Sequence, residues 1–322
     1  MRKRRLLKKI VYALITVFFV LVFNYFLFRI LPGDVVSMLS RNAKISPEMI
    51  ENIRAAYGLD LPWYEQFALY LRDLFTGNLG TSFTYKKPVI EVIGGKILPT
   101  VVLLGVAEII AILIGIFFGV VSAWKRGKAL DTGLLTTSLL LYSMPVFWFG
   151  MILVLIFSAT LQLLPTGGMV TPGRLYADSW ARMADIGRHM VMPAICMGLA
   201  MVGEYAITMR STMIDVLQED YITTARAKGF GESYVLRKHA LPNAMLPMIT
   251  IIAINLGLIV GGAIQIETVF SWPGLGNLMY TALNNRDYPL LQGLFLIVTV
   301  SVILANVLAD LLYELVDPRV KS

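Results

Sequence analysis

Reactive and charged side chains are scarce in this sequence. Its 322 residues hold one cysteine, Cys196, and two histidines, His189 and His239. A single cysteine closes no intrachain disulfide, and Cys196 stands in an apolar run where a free thiol packs as a small hydrophobe. The two histidines are far apart, and neither has an H-x-x-x-H or C-x-x-C beside it, so the spacing of a metal site is missing. No nucleophile–base arrangement can be assembled around them, so neither a catalytic residue nor a metal ligand is assigned. Methionines 190, 192, 197, 201 and 209 suggest a soft-metal path at first sight, but their place in a helical run makes them packing residues. A phosphate cradle of the form G-x-x-x-x-G-K-[ST] is absent too. Gly95-Lys96 and Gly127-Lys128 both lack the upstream glycine and the following hydroxyl, so this chain does not hydrolyse nucleotide. Only 15% of residues are charged, and no nucleic-acid motif accompanies the net charge of +7. Repeats, low-complexity tracts and a soluble second domain are missing as well.

Apolar residues fill the space instead. They make up 57% of the chain, and a mean hydropathy of +0.70 is too high for a soluble domain. A helix needs about 20 apolar residues to cross the ~30 Å hydrocarbon core. Runs near residues 10–31, 99–123, 132–158, 190–210, 246–269 and 290–312 meet that need, which predicts an all-α polytopic membrane protein with six spans. The fourth run carries Glu204, with Pro193 near its start, where proline fits a first helical turn. RKRRLLKK precedes the first run in the manner of a signal peptide. That run lacks a small-residue cleavage site, so it reads as an uncleaved anchor.

Six spans put both termini on one side. Sixteen basic residues then fall on that side, in residues 1–9, 124–131, 210–245 and 313–322, against eleven in residues 32–98, 159–189 and 270–289. Seven acids neutralise the largest of the opposite loops. The excess places both termini in the cytoplasm, and Arg29 can snorkel from a span end.

The chain divides as 1–31, an N-terminal tail and first span; 32–98, a small extracytoplasmic domain; and 99–322, a five-helix core with a loop at 211–245. In the extracytoplasmic segment, SPEMIENIRAAYGLDLPWYEQFALYLRDLF holds two amphipathic stretches, the first with Ser46 as N-cap and Pro47 behind it. Gly77, Gly80 and Pro88 then mark a turn and an extended segment. Loop 211–245 is polar, helix-prone and longer than a connection requires, so it awaits a partner outside the membrane. Gly229 suits the C-cap of a short helix around 222–232, and Gly231 and Pro242 bracket a second one.

These residues resemble the permease subunits of bacterial ABC importers, whose cytoplasmic loop reads Glu-Ala-Ala, three residues, Gly, nine residues, Ile-x-Leu-Pro. Here Gly229 is followed at that spacing by His239, Leu241 and Pro242, and Thr223, Thr224 and Ala225 stand at the Glu-Ala-Ala positions. Two of those three depart from the pattern, and His239 replaces Ile. ARAKG and HALPN, with that departure, resemble the dipeptide, oligopeptide and nickel branch. LPGD at 31–34, GNLGTS at 77–82, SMPVFW at 143–148, LLPTGG at 163–168 and DPR at 317–319 extend the match to the B-type peptide permease.

The resemblance implies a pore shared with a second, C-type permease, in a membrane of ordinary lipid. It also implies two cytoplasmic ATPases that bind ATP and Mg, and an extracytoplasmic peptide-binding protein. This chain itself would bind no cofactor. Docking of the short helix in an ATPase groove would swing the spans from inward-facing to outward-facing. Ala225 and Ala227 would allow close approach and Gly229 the turn. Arg226 and Lys228 would meet acidic or carbonyl groups, or act only as inner-leaflet charges. Cargo is a peptide, with a lean to oligopeptides; dipeptides, nickel chelates and other peptide conjugates stay open.

Glu108, Glu204, Asn255, Gln265, Glu267, Asn306 and Asp310 interrupt the spans. An ionised carboxylate at mid-bilayer costs roughly 2.5–3.5 kcal/mol on insertion scales. Glu108, Glu204, Asn255 and Gln265 are therefore candidates for the translocation path, against a role in hydrogen bonding between helices. Glu267 and Asp310 are near enough to a span end to be interfacial. An ion-gradient-driven transporter would carry similar carboxylates but leaves loop 211–245 unexplained. An intramembrane enzyme would need a catalytic constellation, and the spans offer none.

Overall fold

The computed structural model describes residues 2–30, 51 and 60–316. LPGD at 31–34, the amphipathic stretch opened by Ser46 and Pro47, and DPR at 317–319 lie outside these residues, as do the side chains of Arg29 and Asp310. Regular structure among the described residues is helical, with one isolated antiparallel bridge between Thr81 and Pro88. That follows from the apolar runs: without water, backbone N–H and C=O groups must be satisfied within a segment, and helices do so.

The chain forms two compact units, residues 1–97 with 278–303, and residues 98–277 with 304–322. This differs from the linear division of the sequence, because 278–303 joins the N-terminal unit. Helices α1 (Arg2–Ile30) and α2 (Trp63–Phe75) belong to that unit, with the first turns of α3 (Val89–Trp124). Specific polar contacts tie its parts together. Asn24 Nδ2 donates to the Gln292 carbonyl at 3.1 Å, and Tyr25 donates its hydroxyl proton to the Trp63 carbonyl at 2.9 Å. Asp287 is fully buried and accepts from Ser82 Oγ at 2.5 Å and Thr84 N at 2.9 Å. The turn between α2 and α3 uses Gly77 and Gly80 at φ 76° and 81°, as the glycine punctuation predicts.

In the second unit, α3 continues to Trp124 and is followed by α4 (Ala129–Ser143), α5 (Val146–Leu153) and a wide π turn over Val154–Thr160. The expected third span, 132–158, is therefore broken, with α4 and the α5 segment meeting at 98°. The cause is local. Pro145 crowds the residue before it out of helical geometry, and Met144 is extended at φ −76°, ψ 130°.

Helix α6 (Ser179–Leu217) is far longer than the 190–210 expected, roughly 58 Å at ~1.5 Å per residue. It starts where Asp178 caps Ala181 N at 2.7 Å, so Pro193 lies in its interior and not in a first turn. Next come α7 (Asp220–Ala227), α8 (Glu232–Val235), a π stretch at Leu236–Ala240 and α9 (Leu241–Leu258).

The second short helix foreseen between Gly231 and Pro242 is not separate. It runs on through the π stretch into the span, giving one helix from Glu232 to Leu258. Pro242 supplies no N–H, and widening the turn before it accommodates that gap. The run 246–269 also fails to form one span. It stops at Leu258, passes a tight turn at Ile259–Gly261 and reverses at Gly262, φ 75° and ψ 164°, a region open only to glycine. Helices α10 (Ile264–Val269), α11 (Leu275–Asn284) and α12 (Tyr288–Val316) complete the chain.

Among the described residues five helices are long and apolar enough to cross a membrane, and the bent pair makes a sixth crossing if it counts as one. Their outward residues stay apolar, as at Phe19, Phe23, Leu113, Phe117 and Leu304, which suits a lipid solvent.

Candidate functional site

The elbow between α6 and α9 is built from a short helix closed by glycine. Beyond Ala227 the chain ends α7 in a Schellman turn: Phe230 N–H reaches back to the Ala225 carbonyl at 3.4 Å, and Gly229 N–H to that of Arg226 at 2.9 Å. Gly229 sits at φ +83°, the left-handed geometry that such a turn requires at this position. Across the turn Arg226 forks onto Glu232, Nε to Oε1 at 2.9 Å and Nη2 to Oε2 at 3.2 Å. Both partners are substantially exposed, so this pair holds the elbow's shape and adds little stability.

Two faces of α7 differ. Ile222 and Ala225 are buried among Ala123, Met209, Met213, Val235, Leu236 and Ala240. Thr223, Thr224, Ala227, Lys228 and Gly229 are exposed. The small side chain of Ala225 thus lets α7 pack against the protein's own core, whereas that of Ala227 faces out. Thr224 Oγ1 donates to the Asp220 carbonyl at 2.9 Å, within its own helix. Past the turn, Phe230 and Tyr234 are exposed and their rings lie 4.9 Å apart, with the His239 ring 6.0 and 5.7 Å from them. Leu241 is half-buried and Pro242 exposed at the start of α9.

The polar residues of the spans divide. Glu108 of α3, Glu204 of α6 and Asn255 of α9 converge on Tyr205, which donates its hydroxyl proton to Glu108. Asn255 Nδ2 donates to Tyr205 Oη at 2.9 Å and lies 3.5 Å from Glu204 Oε2. The structure thus unites three of the four candidates around a tyrosine that sequence reasoning missed. Gln265 stands apart, exposed on α10, and Asn306 is exposed on α12.

Glu267, near enough to a span end to read as interfacial, is fully buried. Its carboxylate accepts Thr100 Oγ1 at 2.8 Å and Asn277 N at 2.9 Å, while Thr100 Oγ1 accepts Leu275 N at 2.7 Å. The first turn of α11 is therefore capped by the distant Thr100 and by the nearby Glu267, which makes Glu267 a structural anchor.

A further polar knot gathers on Asp185, near the start of α6. It accepts Thr171 N at 2.7 Å, Thr171 Oγ1 at 2.9 Å, Tyr176 Oη at 2.7 Å and Arg174 Nη1 at 3.2 Å. His189 shares it, with Nδ1 3.0 Å from the Gly167 carbonyl. The bond to Asp185 raises the Tyr176 phenol above its ordinary pKa and keeps it a donor. This knot fastens the loop 161–178 to α6. Cys196 is buried, and Met192 and Met209 fill the cores, as packing residues do. Among the described residues no three His, Cys, Asp or Glu side chains come together to hold a metal.

Two family models match the chain, each over part of it. Residues 111–322 match the binding-protein-dependent transport system inner membrane component, and residues 2–105 match the N-terminal part of such membrane components. The chain is 37% identical over 319 residues to the di/tripeptide transport system permease protein DppB of Pseudomonas aeruginosa, covering 95% of each. It is 39% identical to the dipeptide transport system permease protein DppB of Escherichia coli K12, covering 91% of each. Against the oligopeptide transport system permease protein AppB of Bacillus subtilis it is 38% identical, covering 93% of each. Among solved structures the inward-facing MetNI methionine ABC transporter shares the fold, with a TM-score of 0.56 at 15% identity, over 71% of this chain and 97% of that one.

Proposed function

Since the chain belongs to the family of binding-protein-dependent transport inner-membrane components, and within it to the B-type permeases of peptide ABC importers, we propose that it carries short peptides inward through a pore shared with a second permease, driven by two ATPases on the cytoplasmic side. Relatives named for di- and tripeptides stand beside one named for oligopeptides at near-equal identity, so the proposed cargo is short peptides of more than one length. An extracytoplasmic binding protein would deliver them.

One observation carries the coupling mechanism: α7 stands as a capped elbow whose inner face is welded to the core and whose outer face is free. Thr223, Thr224, Ala227 and Lys228, with Phe230 and Tyr234 beyond the glycine, offer a partner an apolar and basic surface. The excess of basic residues puts that surface in the cytoplasm. Closure of the ATPases on ATP would push the elbow, and the bundle would pass between its inward-open and outward-open states as a rigid body. The cluster of Glu108, Glu204, Tyr205 and Asn255 gives the spans a polar seam, which would form part of the wall of the path.

The test is uptake of radiolabelled dialanine, trialanine and pentaalanine into proteoliposomes holding the complete assembly and binding protein. Accumulation should require internal ATP hydrolysis, persist when ion gradients are collapsed and leave the peptides intact. Uptake that follows an ion gradient without ATP would establish the rival, a secondary transporter.

A further inference from the structure

A buried ion pair lies within two turns of the elbow, between Arg210, which the sequence offered only as a basic residue at a span end, and Asp131, which it did not single out. Asp131, in the first turn of α4, is almost fully buried, and Arg210 of α6 is mostly so. The guanidinium grips the carboxylate with two parallel bonds, Nε to Oδ1 and Nη2 to Oδ2, each 2.8 Å. Gly127 N donates to Oδ2 at 2.9 Å, and Ser122 Oγ of α3 donates to Oδ1. One carboxylate thereby gathers the end of α3, the α3–α4 corner, the start of α4 and the end of α6.

The helices behind the pair are in close backbone contact. A Cβ added at Gly119 of α3 would stand 2.8 Å from the Ala206 carbonyl and 3.0 Å from Arg210 N, and one at Gly203 of α6 would stand 2.8 Å from the Ser138 carbonyl of α4. The elbow is fastened to the same place, because Ile222 and Ala225 of α7 share a core with Ala123 of α3 and Met209 and Met213 of α6.

We propose that Arg210 and Asp131 are positioning residues of the transport cycle, welding α3, α4 and α6 into one body so that displacement of α7 moves all three together. Apolar helix contacts alone permit shear, in which packed helices slide past one another. A two-pronged guanidinium–carboxylate fork fixes register and angle, and burial shields it from salt. Four donors on one carboxylate would be excessive for a charge that only oriented the chain in the membrane. The inference rests on the reading of α7 as the point where force enters.

The complete assembly is spin-labelled at Lys128→Cys and Ala227→Cys, which report the α3–α4 corner and the elbow; Cys196 is fully buried and stays unlabelled. The wild-type background should give one narrow distance, the same without nucleotide and with ATP and vanadate. Asp131→Asn keeps the shape and can hold the corner, its amide oxygen accepting Gly127 N–H and its amide nitrogen donating to Ser122 Oγ, yet it loses the charge and the two-pronged fork to Arg210; Arg210→Gln releases Asp131. In each the distance should change with nucleotide, and trialanine taken up per ATP hydrolysed should fall about tenfold. The double variant should be no worse than either single one. Arg210→Lys, which keeps the charge but loses the fork, should show the same loss in smaller measure.

A distance that ignores nucleotide in both variants would overturn the proposal. So would uptake and hydrolysis that fall in equal proportion, or failure of all the variants, Arg210→Lys included, to assemble. Absence of trialanine uptake by the unaltered assembly would sink the transport reading instead, and the distance measurement would still judge the weld.

Discussion

Gly229 concentrates the proposed coupling on one backbone angle. Its φ of +83° closes α7, and a Cβ there would touch nothing within 4 Å, so a substitution costs conformational strain and no clash. That strain is about 1–2 kcal/mol for an ordinary residue and greater for a β-branched one. Gly229→Ala should therefore weaken, and Gly229→Val nearly abolish, the stimulation of ATP hydrolysis by loaded binding protein, while the assembly still forms; unchanged stimulation in Gly229→Val would contradict the coupling role. The need for glycine at this position was legible in the sequence because a helix-compatible run stopped there. Which alanine faced the core was not, since Ala225 and Ala227 are alike in composition and differ only in which side of α7 they occupy. Glu108 was legible as an anomaly in an apolar span, but Tyr205, 97 residues away, was not. Hydropathy marks a polar residue as unusual and gives no hint of which distant side chain satisfies it. Asp287 went unremarked and Glu267 was read as interfacial for the same reason, since their hydroxyl partners Ser82 and Thr100 lie 205 and 167 residues away.

Helices were the most legible elements, and their breaks the least. The apolar runs located all the spanning segments because the length needed to cross a bilayer is fixed. Pro145 then bent the third, and Gly262 cut the fifth, because a single residue with restricted or unusual φ outweighs a run of favourable hydropathy. The extra length of α6 went unseen at its start, where SWARMADIGRH is too polar to score as membrane but helical enough to continue it. Contact between α3 and α6 depends on glycines that read from sequence as ordinary members of an apolar run. Gly119 lies against Met209, Ala206 and Arg210, whereas Gly105, on the same helix, has nothing within 4 Å of an added Cβ. Gly119→Leu should force the helices apart at a cost of about 1–3 kcal/mol, lowering the thermal midpoint of the detergent-solubilised protein by roughly 5 °C. Gly105→Leu should leave that midpoint in place, and equal losses in the two would contradict the close α3–α6 packing.

For the molecule as a whole, composition alone excluded a soluble protein and a disulfide scaffold, and the elbow's spacing pointed to the family. The family was legible because the spacing from Gly229 to Leu241-Pro242 carries its pattern, and on the proposed reading an importer subunit without its own phosphate cradle exposes a surface through which another subunit moves it. The pathway was less so: polar residues in spans arise both from transport and from helix packing, and only their grouping around Tyr205 separates three of them from the remainder. The account stands or falls on force entering at α7. With Ala227→Cys and Lys228→Cys in the intact assembly, short bifunctional reagents should join this chain to an ATPase subunit in a yield that changes on ATP binding, and an impermeant maleimide added outside whole cells should leave both cysteines unlabelled. Crosslinks to the binding protein instead, or labelling from outside, would contradict it.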